Sequence, residues 1–189
     1  MLKVVLVEGI TDAKFLAGLL SITRLDKASY DAKKLITQYR CYYEKEILIC
    51  EGGGKDNICK RAEEISEILK DRKIDFQIYI LLDGDAKNIN CNIGEMFYLN
   101  EKNLDELIFE VSKEIMSNFT YAKQLLENEK NSDSKLKTYL VMYLFKKYLA
   151  QNETWTDLSS FSFYIAVNFK RYIVLTDQNL CKLIKLLES

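Results

Sequence analysis

Two short apolar runs that end in acidic residues and glycine decide the fold: Val5-Leu6-Val7-Glu8-Gly9-Ile10-Thr11-Asp12 and Ile80-Leu81-Leu82-Asp83-Gly84-Asp85. Runs of Val, Ile and Leu without polar alternation are typical of parallel strands that are buried on both faces. We therefore predict strands over residues 3–7 and 76–82. Each strand would end where its acidic residues begin, which places carboxylates at the carboxyl edge of a sheet.

The pattern between and beyond these two runs predicts an α/β fold. Further apolar strands are expected at 47–50 and 96–99, and helices are expected from Thr11 or Asp12 and from Lys55 or Asp56. Strands that alternate with helices are typical of a parallel sheet with crossover helices. We predict a Rossmann-type parallel sheet of about four strands, flanked by helices. The segment 28–43 fits an extra helix or an edge strand equally well.

After about residue 103 the pattern becomes helical, with helices predicted at 104–116, 119–127, 135–150 and 179–187. We expect an α/β core over residues 1–115 and a helical extension over 116–189, packed on the core as a single compact domain. Two aromatic clusters in the extension, 161–164 and 169–172, could stack on bases. Such clusters more often form the core and rim of helices, and we favour that interpretation.

The composition excludes several classes of protein and site. Since the chain has no histidine, a histidine general base, a Ser-His or Cys-His pair and a histidine metal ligand are excluded. No apolar run reaches the roughly 20 residues of a membrane span, and charge interrupts the N-terminal run too early for a secretory signal. The 5 cysteines lack a Cys-x-x-Cys spacing and predict reduced thiols in a cytoplasmic protein.

Acidic residues and glycines meet at the predicted strand ends. Glu8, Glu51 and Asp83 each follow an apolar strand, and ligands of open α/β sheets bind outside these carboxyl ends. Oxygen ligands without nearby histidine favour Mg²⁺ or Mn²⁺ over Zn²⁺. The glycines Gly52, Gly53 and Gly54 would let a phosphate approach the backbone. Lys55 is followed by Asp56 rather than Ser or Thr, which disfavours a nucleotide-hydrolysing P-loop.

Both quoted motifs resemble the signature of Toprim domains. In that family a strand ends in Glu-Gly, an Asp opens the next helix, and a later strand ends in Asp-x-Asp; the glycine turn at 52–54 is similar to the small-residue turn between them. The resemblance covers roughly residues 1–115. The family includes topoisomerases, bacterial primases, overcoming-lysogenization-defect nucleases and small ribosomal-RNA maturases. The chain has no room for a strand-passage gate or a zinc finger, so it looks most like the nuclease-type members.

The resemblance implies a role for each acidic residue of the two motifs. Glu8 would be the general acid/base or a metal ligand. Asp83 and Asp85 would bind Mg²⁺ or Mn²⁺ and take part in catalysis, while Asp12 would support the site or bind a second ion.

Two later segments are also similar to the nuclease-type members. The stretch from Tyr98 to Ile108 resembles one in which a carboxylate follows the fourth strand, so Asp105 or Glu106 would add a metal ligand. Lys135 or Lys137 matches a lysine on a later helix that could contact phosphate.

The resemblance implies a metal-dependent nuclease that cleaves phosphodiester bonds in DNA or RNA. A non-catalytic Toprim-like module that binds nucleic acid or a nucleotide beside a partner protein is the alternative. A phosphatase with an aspartate nucleophile also fits Asp83-Gly84-Asp85, but it would require this strand to come first in the sheet order. DNA or RNA is the expected partner, and no membrane is expected.

Overall fold

A computed structural model describes residues 1–22 and 39–189. Over these residues the chain forms a sheet of five strands with helices on both faces. In chain order the elements are β1 (Leu2–Val7), α1 (Ile10–Leu19), β2 (Cys41–Glu44), β3 (Ile47–Glu51), α2 (Ile58–Asp71), β4 (Phe76–Leu82), a 3₁₀ turn (Gly84–Ala86), β5 (Glu95–Tyr98), α3 (Leu104–Ile115), α4 (Thr120–Asn128), α5 (Ser134–Tyr148), α6 (Leu158–Thr176) and α7 (Gln178–Glu188).

The strands lie in the order β2-β3-β1-β4-β5, with β1 in the middle. β1 pairs in parallel with β3 and β4, and β5 pairs in parallel with β4. The predicted α/β class is confirmed, and the predicted strands are the parallel ones. The fifth strand, β2, is an antiparallel edge strand beside β3. It lies at the end of the ambiguous segment, of which residues 28–38 are outside the described part of the chain.

Alternate residues of the central strands enter two separate hydrophobic cores. Val4 and Ile80 pack on the side of α2, whereas Val5 and Tyr79 pack on the side of α1 and the C-terminal helices. Because both faces of these strands are covered, their sequences are apolar without alternation.

The helices at the C-terminal end close one of these cores. Four of them lie within two residues of the predicted bounds. The bounds of the long helix α6 were not predicted, although its aromatic clusters were expected in helices, because aromatic and β-branched residues are spread around it and fit a strand as well as a helix. α6 lies directly on α1: a Cβ added at Gly18 would be 2.8 Å from Ala166 Cβ. Over residues 1–22 and 39–189, no helix is long and apolar enough to cross a membrane.

The last helix is attached to the end of the sheet through a buried carboxylate. Asp177 is fully buried; it accepts a 2.9 Å hydrogen bond from the amide of Leu180 and a 2.7 Å one from the amide of Asn100. Asn179 donates to the carbonyl of Tyr98 at 3.0 Å. These bonds position the loop between β5 and α3, which leads to Asp105 and Glu106.

Four of the five cysteines form disulfides, so the prediction of reduced thiols is wrong for them. Cys41 joins Cys50, and Cys59 joins Cys91, while Cys181 is a free thiol. The antiparallel register sets Cys41 directly opposite Cys50. This pairing depends on β2, which the sequence pattern left ambiguous.

Candidate metal and catalytic site

Glu8 and Asp83 meet because their strands are neighbours. β1 and β4 pair in register, with Val7 opposite Leu81, so both strands end at the same level of the sheet. The amide of Asp83 donates a 3.0 Å hydrogen bond to Oε1 of Glu8. The structure therefore joins the acidic ends of the two motifs, which are 75 residues apart in the chain.

Asp12 lies in the first turn of α1, just above Glu8. The helix is capped by Gly9 rather than by Thr11 or Asp12, and the amide of Gly9 donates a 2.9 Å hydrogen bond to Oδ2 of Asp12. Burial raises the pKa of Asp12 to about 6. The hydrogen bond from Gly9 opposes this shift, whereas the charges of Glu8 and Asp105 add to it.

Glu8, Asp12 and Asp83 line one small cleft. Its remaining walls are apolar: Phe15, Leu81, Leu99 and Leu104. Burial raises the pKa of Asp83 to about 8, and the neighbouring charges of Asp12, Glu8 and Asp85 add to the rise. A hydrogen bond from the amide of Leu104 partly opposes it. Without a cation, Asp83 is therefore mostly protonated at neutral pH.

Asp85 lies outside this cleft. After Asp83 the chain enters the 3₁₀ turn, so the strand-like alternation expected for Asp-x-Asp does not continue, and Asp85 is exposed. The amides of Gly84 and Asp85 each donate a 3.1 Å hydrogen bond, to the carbonyls of Glu101 and Lys102. Only glycine fits at 84, since a Cβ there would lie 2.2 Å from the carbonyl oxygen of Glu101. Asp85 contributes charge to the cleft from its rim.

Asp105 and Glu106 are adjacent at the start of α3, but they differ in their partners. Thr138 Oγ1 donates to Oδ1 of Asp105 at 2.6 Å. Glu106 accepts hydrogen bonds from Lys137 Nζ at 2.7 Å and from Ser134 Oγ at 2.8 Å. All three donors lie in the first turns of α5.

The pKa values of these two carboxyls shift in opposite directions. Burial raises the pKa of Asp105, which the bond from Thr138 only partly offsets. Burial also acts on Glu106, but the hydrogen bonds from Lys137 and Ser134 outweigh it and lower its pKa. The charge of Asp105 reaches Asp12, whereas Glu106 is paired with Lys137 and its charge acts on Asp105 and Glu101.

The lysines predicted to contact phosphate have different surroundings. Lys137 is only 6% exposed, and besides the Glu106 carboxylate it lies 5.0 Å from the ring centroid of Phe109. Lys135 is exposed on α5. Sequence reasoning missed Ser134 and Thr138. Their spacing with Lys137, which puts all three on one helical face, was the available signal.

The glycine turn after β3 supports Glu8 through the backbone. The amide of Gly52 donates to the carbonyl of Val7 at 2.6 Å, and that of Gly54 donates to the carbonyl of Glu8 at 2.9 Å. Gly53 and Gly54 have φ angles of +75° and +88°, which L side chains rarely adopt. The amides of Gly52 and Gly54 are therefore occupied by backbone carbonyls, and contact of this turn with a phosphate stays a prediction.

The donors in and around the cleft are carboxylate oxygens, which suit a hard divalent cation such as Mg²⁺ or Mn²⁺. Among residues 1–22 and 39–189, no three or more Asp, Glu or Cys side chains are already close enough to hold a metal ion. Burial is the main cause of the raised pKa values of Asp12 and Asp83, and the charges of neighbouring carboxylates add to both. The carboxylate oxygens are thus chemically suited to such a cation, but in this arrangement they do not yet surround one.

No protein-family model matches the chain, and no curated protein matches it. Among solved structures, the chain is similar to the C-terminal region of the Xanthomonas campestris pv. campestris OLD protein phased with iodine, at 15% identity and a TM-score of 0.41, over 98% of this chain and 97% of that chain. It is also similar to the C-terminal region of the Burkholderia pseudomallei OLD protein, at 12% identity and a TM-score of 0.40, over 96% and 98%.

Proposed function

We propose that this protein is a Toprim-type, metal-dependent nuclease that hydrolyses phosphodiester bonds in DNA or RNA. The observation that carries the proposal is that Glu8, Asp12 and Asp83 lie together in one cleft with apolar walls. The amide nitrogen of Asp83 lies 3.0 Å from Oε1 of Glu8. Burying several carboxylates together is unfavourable unless they are protonated or neutralised by a cation. Such a cleft is suited to a divalent ion and to a substrate that brings its own phosphate.

Asp83 and Asp12 would hold the ion from inside the cleft, and Asp85 would join them from the rim. A bound Mg²⁺ or Mn²⁺ would polarise the phosphoryl oxygen and help to activate water. Of the two acidic residues at the start of α3, Asp105 is the better candidate for a further ligand, because its charge reaches Asp12. Glu106 is held by Lys137 and Ser134 and would instead position α5.

Glu8 would move the proton. Its Oε1 is fixed by the amide of Asp83, and its backbone carbonyl accepts the amide of Gly54, so the side chain is anchored at both ends. A carboxylate held in this way can accept a proton from attacking water or return one to the leaving oxygen. The apolar walls formed by Phe15 and Leu104 would limit access of bulk water.

A cleavage assay with a matched control tests the proposal. Supercoiled plasmid, single-stranded DNA and structured RNA would be incubated with Mg²⁺, Mn²⁺ or chelator, using wild type, Glu8→Gln and Glu110→Gln. Glu110 is a half-buried carboxylate on α3 that pairs with Lys113 at 2.9 Å and is not among the residues that line the cleft. We expect metal-dependent product with wild type and Glu110→Gln, and a loss of at least about 100-fold with Glu8→Gln.

Equal cleavage by wild type and Glu8→Gln would rule out the assigned site. If wild type binds a labelled strand only with metal and forms no product, the non-catalytic binding module replaces the nuclease.

A further inference from the structure

The solvent side of α5 carries an unusual set of exposed aromatic rings. Tyr139 is 66% exposed and Tyr143 is 54% exposed. They are four residues apart, about 6 Å along the axis, so both rings lie on one helical face. Tyr121 of the neighbouring helix α4 is 51% exposed. In the aromatic clusters singled out in the sequence, Phe161 is fully buried and Phe169 packs against the core, whereas Tyr172 is exposed.

A lysine connects these rings into one surface. Lys147 Nζ lies 4.6 Å from the ring centroid of Tyr121 and 5.9 Å from that of Tyr143. We call Tyr121, Tyr139, Tyr143 and Lys147 the α5 surface. A cation that lies among exposed rings offers both flat apolar faces and positive charge within a few ångströms.

The charge of α5 differs from that of the chain as a whole. The chain has a net charge of −1, but α5 has four lysines and no acidic residue between Ser134 and Tyr148. Lys135, Lys146 and Lys147 are exposed. A helix face with this composition complements a polyanion.

The α5 surface and the candidate site share one helix but use different sides of it. The first turns of α5 supply Ser134, Lys137 and Thr138, which bind Glu106 and Asp105. Tyr139 follows Thr138 directly in the chain. Thr138 is buried against α3, whereas Tyr139 is exposed, so a ligand on the α5 surface would lie on the solvent side of the helix that supports the candidate site.

We infer that the α5 surface binds a single, unpaired nucleic-acid strand, with bases stacked on the tyrosines and phosphates near the lysines. The inference rests on the proposed function, because it names how the substrate of that cleft would be held. Ring faces next to lysines recognise unpaired bases without regard to sequence. A duplex hides its base faces, so it would use only the lysines. A second copy of this chain is the competing occupant.

Strand binding without cleavage tests the inference. Anisotropy of a labelled 20-nucleotide single strand, as DNA and as RNA, would be measured in chelator, with the matching duplex beside it. We expect Tyr139→Ala with Tyr143→Ala to weaken single-strand binding at least about 10-fold. Tyr139→Phe with Tyr143→Phe should retain binding, because the ring faces remain. Tyr172 of α6 is 42% exposed but lies outside the α5 surface, so Tyr172→Ala should leave single-strand binding unchanged.

The outcomes separate this inference from the nuclease proposal. If wild type binds the strand and the double alanine variant does not, the inference holds even when no variant cleaves. Unchanged binding by the double alanine variant, equal loss with the phenylalanine variant, or absence of binding by wild type would overturn it. If wild type is a dimer that the alanine variant dissociates without loss of strand affinity, the α5 surface is a self-association surface and the inference fails.

Discussion

Asp83 and Glu106 are both acidic side chains at the carboxyl edge of the same sheet, yet their pKa values shift in opposite directions. Asp83 is surrounded by carboxylates and apolar walls, and its pKa rises to about 8. Glu106 is bound by Lys137 and Ser134, which outweigh its burial, and its pKa falls. The difference teaches that the partners supplied by the fold, rather than residue type or strand position, decide whether the pKa of a carboxyl rises or falls.

Loss of Lys137, the lysine that pairs with Glu106, should have the largest effect on the free energy of unfolding. Lys137→Met leaves Glu106 without its buried ion-pair partner, which typically costs about 3 kcal/mol. Urea denaturation at pH 7 would measure the change. In the double variant Lys137→Met with Glu106→Gln, the uncompensated charge is gone, so we expect most of the loss to be recovered.

Lys135→Met serves as the control, because Lys135 is an exposed lysine of the same helix and its loss should change the free energy of unfolding by less than about 0.5 kcal/mol. A loss of similar size at both positions would show that the pair with Glu106 is unimportant.

The two buried carboxyls of the cleft, Asp12 and Asp83, should make the folded protein less stable as the pH rises. In the folded state the pKa of Asp12 rises from 3.8 to about 6, and that of Asp83 rises from 3.8 to about 8. Between the unfolded and the folded pKa of each group, the folded state therefore holds more protons than the unfolded state. Stability in chelator should therefore fall as pH rises from about 4 to 8. Thermal unfolding would follow this. Asp83→Asn should remove the decline above pH 6 and gain about 1–2 kcal/mol at pH 8, after allowance for solvent screening.

Mg²⁺ at pH 8 should stabilise wild type more than Asp83→Asn, since the ion replaces the protons. If wild type and Asp83→Asn lose stability equally between pH 6 and 8, Asp83 is not the group that titrates.

The smallest effect on stability is expected at Asp105, whose surroundings are intermediate between those of Asp83 and Glu106. Thr138→Val removes the 2.6 Å hydrogen bond to Asp105, at a cost of about 1 kcal/mol when the carboxylate is charged. Because that bond lowers the pKa of Asp105, its loss should raise the pKa further. Carboxyl ¹³C chemical shifts against pH would record the change. Thr138→Ser keeps the hydroxyl and should titrate like wild type; a shift equal to that of the valine variant would rule out the hydrogen bond as its cause.

Much of the scaffold could be predicted from local patterns. The four parallel strands and four of the C-terminal helices show clear runs or periodicity, and the ends of β1 and β4 were expected to bring Glu8 and Asp83 to one edge. The roles of those residues remain predictions. The edge strand β2 was left open between a helix and an edge strand, since a short edge strand pairs on one side only. The bounds of helix α6 were not predicted, since α6 has no clear apolar stripe.

The sequence by itself therefore determined the α/β scaffold and the acidic edge, because strand apolarity and strand-end position are properties of neighbouring residues. The tertiary structure alone decided that Asp85 is exposed in a 3₁₀ turn, that Cys41 joins Cys50, and that Lys137 neutralises Glu106 rather than facing solvent. Each of these depends on residues that are brought together by packing or by a change of backbone direction. The surroundings that set the charge of a carboxylate come from several elements at once, and no local pattern contains them.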